Sequence, residues 1–103
     1  TYVEAARKLA ERILKEGGAS PRDCLRFAYR VTLAREPTEQ EIRTLVRTLN
    51  RQREHYRTDR SAAEKLLSVA ESPRDPAIAA AELAAWTGVA SVLLNLDEFI
   101  TRG

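Results

Sequence analysis

A chain of 103 residues with 44% hydrophobic and 31% charged residues has the composition of one globular domain and is too apolar to be intrinsically disordered. Lys and Arg number 17 against 15 Asp and Glu, and the net charge of +2 excludes a strong overall field for capturing nucleic acid or acidic lipid. The single cysteine, Cys24, excludes an internal disulfide and a cysteine-based metal site.

The chain starts with an amphipathic segment and has no apolar core of a signal peptide there. Its first residue is Thr1 and not Met. We therefore expect residues 1–103 to form one helical domain that is a fragment, or the C-terminal domain, of a longer protein.

Two helices are predicted before the first proline-containing break. The first runs from about Tyr2 to Lys15, where apolar residues recur at steps of three and four, and Gly17 is its expected left-handed cap. Ser20 followed by Pro21 is typical of a helix start and predicts a second helix that ends near Leu33. Its expected inward-facing residues are Cys24, Phe27, Ala28 and Val31.

The third helix is predicted to be long. Pro37 breaks the chain before it, and Thr38 with Glu41 forms a capping box. The helix then extends from Glu39 to about Tyr56. Residues 50–55 are wholly polar, so we expect this end to project into solvent or against a neighbouring domain.

The fourth helix is predicted to be short and to end near Glu71. Either Asp59 or Ser61 is its cap, and Ser61 with Glu64 would form a second capping box. The proline-bracketed segment 72–76 follows as a loop.

The fifth helix is predicted to be the centre of the fold. No residue from Leu83 to Leu96 is charged, and a helix that is apolar on all sides is buried on all sides. The segment falls short of the roughly 20 residues that a bilayer span requires. We expect this helix to end near Asn95, and a short turn from Asp97 to Ile100 to place Phe99 against an all-α bundle of about five helices.

The sequence predicts no catalytic residue, no metal ligand set and no cofactor. His55 is the only histidine, Cys24 lies on an apolar face, and paired carboxylates stand at helix ends, where capping explains them. Trp86 lies inside the apolar fifth helix and is expected to pack in the core.

Arginines repeat at steps of four along the second and third helices, which makes them a candidate interaction surface together with the polar end of the third helix. The phrase LAREPTEQEI also resembles bacterial sigma-factor helical regions, which leaves a helix-turn-helix alternative open. The long third helix and the interleaved glutamates disfavour nucleic-acid binding. The residues of this surface are Arg22, Arg26, Arg30, Arg43, Arg47, Arg51 and His55.

Two longer phrases, RFAYRVTLAREPTEQEIRTLVRTL and SPRDPAIAAAELAAWTGVASVLLNLDEFITR, resemble the C-terminal part of a planctomycete-type domain of unknown function. One position departs from that pattern, because Ala34 stands where the family has glycine, which weighs against a left-handed residue there. The matching positions are Arg26, Tyr29, Arg35, Pro37, Thr38, Glu41, Ala85, Trp86, Leu93, Asn95, Glu98 and Phe99.

The resemblance implies a place at the end of a large exported protein, periplasmic or at the cell surface, with a cytochrome c domain and a second uncharacterised domain upstream. It supplies no activity and no catalytic residue. We expect a non-catalytic module that associates with upstream domains of the parent protein or with another protein. An accessory domain that completes an upstream enzyme or redox site is the alternative. We also expect Arg35 to be partly buried and to pair with Glu98 or with the C-terminal carbonyls of the fifth helix.

Overall fold

The computed structural model describes residues 2–69 and 73–102, without the side chains of Tyr2 and of residues 98–102. Within these ranges the chain forms five helices and no strand, which confirms the predicted all-α bundle. The helices are α1 (Tyr2–Glu16), α2 (Pro21–Leu33), α3 (Glu39–Thr58), α4 (Arg60–Ser68) and α5 (Ala80–Arg102).

Helix α5 is the central element, because it packs against each of the other four helices. Leu83, Trp86 and Val89 on this helix are each at most 1% exposed. Their burial follows from the uncharged sequence, since no side of this segment offers a side chain that water solvates well. None of the helices in the described ranges has the length and apolar character needed to cross a bilayer.

Two expectations for α5 are wrong. The helix does not end near Asn95 but continues unbroken to Arg102, so the predicted final turn is part of it. Neither glycine nor proline directly follows Asn95 to stop the helix there, and Asn95 is an exposed residue of its interior. The side chain of Phe99 lies outside the described residues.

Burial on all sides holds only for the first half of α5. Val92 is 38% exposed and Leu96 is 40% exposed, whereas Leu93 between them is fully buried. The second half of α5 is therefore buried on one side and exposed on the other, although its sequence remains uncharged up to Leu96.

The turn between α1 and α2 follows the predicted capping with one correction. The side chain of Ser20 accepts a hydrogen bond from the backbone N–H of Asp23, and Pro21 opens α2, as expected. The left-handed residue is Gly18, with φ of 117°, and not Gly17. Val31, expected inside, is 38% exposed.

The turn between α2 and α3 has a left-handed residue despite the alanine. Ala34 has φ of 60° and ψ of 29°, and its N–H donates to the carbonyl of Arg30 at 2.9 Å. Alanine in this region carries a steric cost of about 1–2 kcal/mol that glycine would avoid. The surrounding contacts must offset that cost.

The polar end of α3 packs against α5 more than the sequence predicts. Arg53 binds Glu82, and Gln52 lies against Gly88, where an added Cβ would come within 2.8 Å of the Gln52 Oε1 atom. The two helices therefore run antiparallel and close together at this end. Other polar side chains of the segment are exposed, among them His55.

The N-cap of helix α4 is the aspartate and not the serine. The side chain of Asp59 accepts a hydrogen bond from the N–H of Ala62 at 3.0 Å, which makes Asp59 the N-cap. Ala63 and Leu67 are the buried residues of α4. The helix ends at Ser68, with Val69 as its C-cap, and the predicted end near Glu71 is therefore about three residues too late.

One buried charge was not anticipated. Arg7 of α1 is only 1% exposed, and its Nη2 donates to the carbonyl of Pro73 at 3.3 Å. This contact joins the first helix to the loop before α5, two segments 66 residues apart in the chain.

We expect Leu93→Ala to lower the free energy of unfolding by about 2–5 kcal/mol, because it removes a fully buried side chain and leaves a cavity. Leu96→Ala in the same helix is the matched control and should cost about 1 kcal/mol or less, since Leu96 is half exposed. Urea denaturation of both variants measures the difference. Equal losses would contradict the central placement of Leu93.

We expect Asn95→Ala to raise the free energy of unfolding by a few tenths of a kcal/mol, because alanine is the better residue in an exposed helix interior. An asparagine that capped the helix would give the opposite sign. Thermal denaturation followed by circular dichroism distinguishes the two, and destabilisation would restore a helix end at Asn95.

Candidate functional site

An open groove of about 420 Å³ lies between the first half of α3 and the second half of α5. Its α5 side carries the two exposed apolar side chains of that helix, and Leu45 of α3 lies buried beneath them. We call this feature the α3–α5 groove. It is lined by Tyr29, Thr38, Gln40, Glu41, Thr44, Leu45, Thr48, Val92 and Leu96.

One wall of the groove is a hydrogen-bonded network at the start of α3. Arg35 donates from both Nη atoms to the two carboxylate oxygens of Glu41, at 3.1 and 2.9 Å. The hydroxyl of Tyr29 accepts from Arg35 at 2.6 Å and donates to Glu41 at 2.5 Å. The guanidinium also stacks over the Tyr29 ring, 4.9 Å from its centroid.

The same carboxylate completes the predicted capping box. Glu41 accepts from the backbone N–H of Thr38 at 2.8 Å, and the Thr38 hydroxyl accepts from the N–H of Glu41 at 3.1 Å. Helix capping and side-chain pairing thus converge on one residue. Of the four residues that the sequence singles out around this turn, Arg35 and Thr38 both contact Glu41, and Pro37 precedes Thr38 in the chain.

These contacts change the acidity of the network. Glu41 accepts hydrogen bonds from Arg35, Thr38 and Tyr29, and these hold its pKa far below the ordinary value of 4.5. The hydrogen bond from Arg35 has the largest effect. Burial, followed by the hydrogen bond to Glu41, raises the pKa of Tyr29. Tyr29 therefore keeps its proton and Glu41 its charge under physiological conditions. This is the protonation state of a fixed structural contact and not of an acid–base pair exchanging protons near neutral pH.

Arg35 has a local partner that the sequence interpretation did not include, and its expected pairing with the end of α5 stays a prediction. Arg35 is exposed over about half of its side chain and pairs with Glu41, only six residues away, and also donates to the carbonyl of Glu36. The side chain of Glu98 lies outside the described residues. Arg35 follows the left-handed Ala34, and that turn directs it towards the start of α3.

A second polar cluster joins α3 to α5 at the opposite end of the bundle. Arg53 contacts both carboxylate oxygens of Glu82, with Nη2 at 2.5 Å and Nε at 3.1 and 3.2 Å. The indole N–H of Trp86 donates to the same carboxylate at 3.0 Å. Trp86 therefore packs in the core as expected, and its polar atom has the partner that a buried indole requires.

The residues of the predicted arginine surface are exposed, but some of its arginines form ion pairs and others do not. All six arginines and His55 are exposed. Arg22 pairs with Glu39, and Arg30 pairs with Glu36 at 3.3 Å. The remaining members make no hydrogen bond or ion pair with any described residue, namely Arg26, Arg43, Arg47 and Arg51.

Among the described residues no group of three or more His, Cys, Asp or Glu side chains is placed to hold a metal ion. Cys24 is buried, and burial raises the pKa of its thiol, which disfavours the reactive thiolate. The ring of His55 lies edge-on to its neighbour Tyr56, with centroids 4.7 Å apart.

The groove and the Arg53–Glu82 pair are the features that the sequence interpretation missed. Val92 and Leu96 lie four apart, so they share one side of α5, but their uncharged surroundings indicated a buried side. Arg53 and Glu82 are 29 residues apart, and no local spacing connects them.

Comparisons of the chain with protein-family models, with curated proteins and with solved structures give no match. The family resemblance therefore rests on the sequence phrases alone.

We expect Glu41→Gln to destabilise the protein at pH 7 and to lose most of this effect in acid. The folded pKa of Glu41 lies far below its unfolded value of 4.5, so its stabilisation is present above the unfolded pKa and is lost as pH falls below that value and through the folded pKa. Urea denaturation at several pH values measures the difference between variant and wild type. Glu36→Gln is the control, because an exposed pair contributes about 0–1 kcal/mol. A Glu41→Gln effect that did not depend on pH would contradict the ion pair.

Proposed function

We propose that this chain is a non-catalytic helical module of a larger exported protein, and that it associates through the α3–α5 groove with upstream domains of that protein or with another protein. The observation that carries the association is the apolar side of α5 left uncovered in a concave surface. Val92 and Leu96 are exposed there beside Leu45.

A concave surface with apolar side chains favours contact with another protein. The burial of exposed apolar side chains against a partner removes them from water and lowers the free energy. The α5 sequence supports this interpretation, because no charged residue replaces an apolar one on its uncovered side as far as Leu96. Such a surface is typical of one that is covered in the complete assembly.

The contents of the groove favour association over an accessory catalytic role. Its titratable groups are Tyr29 and Glu41, and both are engaged in the network with Arg35. Neither has the pKa near neutrality that proton transfer requires. The exported, multi-domain context rests on the resemblance to the planctomycete-type domain.

We expect Val92→Asp to weaken the binding of the 103-residue chain to the separately produced upstream part of its parent protein by at least about tenfold, or ~1.4 kcal/mol. A charge in the groove must be desolvated when the partner covers it. Isothermal titration calorimetry measures the affinity, and circular dichroism checks that the variant is folded.

Val31→Asp is the matched control, because Val31 is also 38% exposed but lies on α2 outside the groove lining. It should leave the affinity within about twofold. No binding by the wild-type chain, or equal losses in both variants, would contradict the proposal. An export signal in the complete gene product tests the exported context.

A further inference from the structure

The helical spacing of α3 places two arginines, Arg47 and Arg51, next to the residues that line the groove, and we call this pair its basic rim. Gln40 and Thr44 line the groove, and the same stripe of α3 continues into Arg47 and Arg51, because residues three and four apart share one side of a helix. Both arginines are exposed and make no ion pair with any described residue. Of the described residues that line the groove, Glu41 alone is charged, and Arg35 neutralises it.

The shape of the groove matches a helix. Its two long walls are α3 and α5. They run antiparallel, because the end of α3 contacts the start of α5 through Arg53 and Glu82, whereas the first half of α3 and the second half of α5 line the groove. A third helix packs into such a space by placing apolar side chains at steps of three and four on the groove floor. Val92, Leu96 and Leu45 supply the apolar floor for those side chains.

We propose that the groove accepts an amphipathic helix with carboxylates along one flank, which pair with Arg47 and Arg51 while its apolar side covers Val92 and Leu96. This inference rests on the proposed function and names the chemistry of the partner. Arginine forks bind carboxylates with two parallel hydrogen bonds, so two arginines one turn apart select Glu or Asp residues at the same spacing.

Charge argues against two other occupants. A second copy of this chain would bring the same basic rim to the groove, and the described lining offers no carboxylate that is not already held by Arg35. Nucleic acid would neutralise the arginines but would leave the apolar floor in contact with phosphate and water. An acidic amphipathic helix satisfies both the rim and the floor.

The test uses two fluorescent synthetic peptides of ~18 residues, about five helical turns. Both carry leucines at helical spacing, and one has Glu along one flank where the other has Lys. Fluorescence anisotropy measures their binding to the 103-residue chain. We expect the Glu peptide to bind at least about tenfold more tightly than the Lys peptide.

Two charge-reversed variants locate the binding. Arg47→Glu/Arg51→Glu should weaken the Glu peptide by at least about tenfold and strengthen the Lys peptide. Arg26→Glu/Arg43→Glu is the control, because it changes the net charge equally but near Glu39, which both arginines approach. It should leave the affinity for the Glu peptide within about twofold. Circular dichroism confirms that both variants fold.

Three outcomes would overturn the inference. The first is equal binding of the two peptides. The second is tighter binding of duplex DNA that is lost in Arg47→Glu/Arg51→Glu. The third is a dimer in sedimentation velocity that Val92→Asp dissociates.

The titration with the upstream part of the parent protein separates this inference from the proposed function. If Val92→Asp abolishes that association and Arg47→Glu/Arg51→Glu does not, the acidic helix is wrong and the association role stands. If Val92→Asp leaves it unchanged, the association role itself is wrong.

Discussion

An uncharged helix must be removed from water, and this constraint organises the whole molecule. Helix α5 has no charged residue between Leu83 and Leu96, and the four other helices each place an apolar stripe against it. The first half is enclosed completely. The second half is enclosed on one side only. Its other side, at the α3–α5 groove, stays exposed to water in the described chain.

Two sets of polar contacts join the covering helices. The Tyr29–Arg35–Glu41 network spans the turn between α2 and α3, and the Arg53–Glu82–Trp86 cluster links α3 to α5. Both ion pairs are partly exposed, so solvent screening reduces their contribution to stability. Their directional hydrogen bonds make them better suited to fixing geometry than to supplying free energy.

Most of the fold could be predicted from the sequence because its signals are local. Ser20, Thr38 and Glu41 mark helix starts through contacts made within three residues, and these boundaries are confirmed. Asn95 was misleading because asparagine is common both at helix ends and in polar helix positions. A single asparagine therefore does not determine where a helix ends when no glycine or proline directly follows it.

The candidate site could not be predicted in the same way, since it depends on how distant segments are placed. The groove lies between α3 and α5, and the contact of Arg53 with Glu82 that joins these helices links residues 29 positions apart. The local pairing of Arg35 with Glu41 was not predicted, because it depends on the left-handed Ala34, which turns the chain back towards Glu41. Buried Arg7 gave no signal either, as a charged residue among alanines indicates an exposed position.

The network at the start of α3 has a consequence for how a ligand would meet this surface. Tyr29 and Glu41 line the groove and are already held in single conformations by hydrogen bonds to Arg35 and Thr38. Ordering interface side chains normally opposes association by about 0.5–1.5 kcal/mol for each one immobilised. A ligand that bound at this wall would therefore meet side chains that are already ordered, and little of that cost would arise from Tyr29 and Glu41.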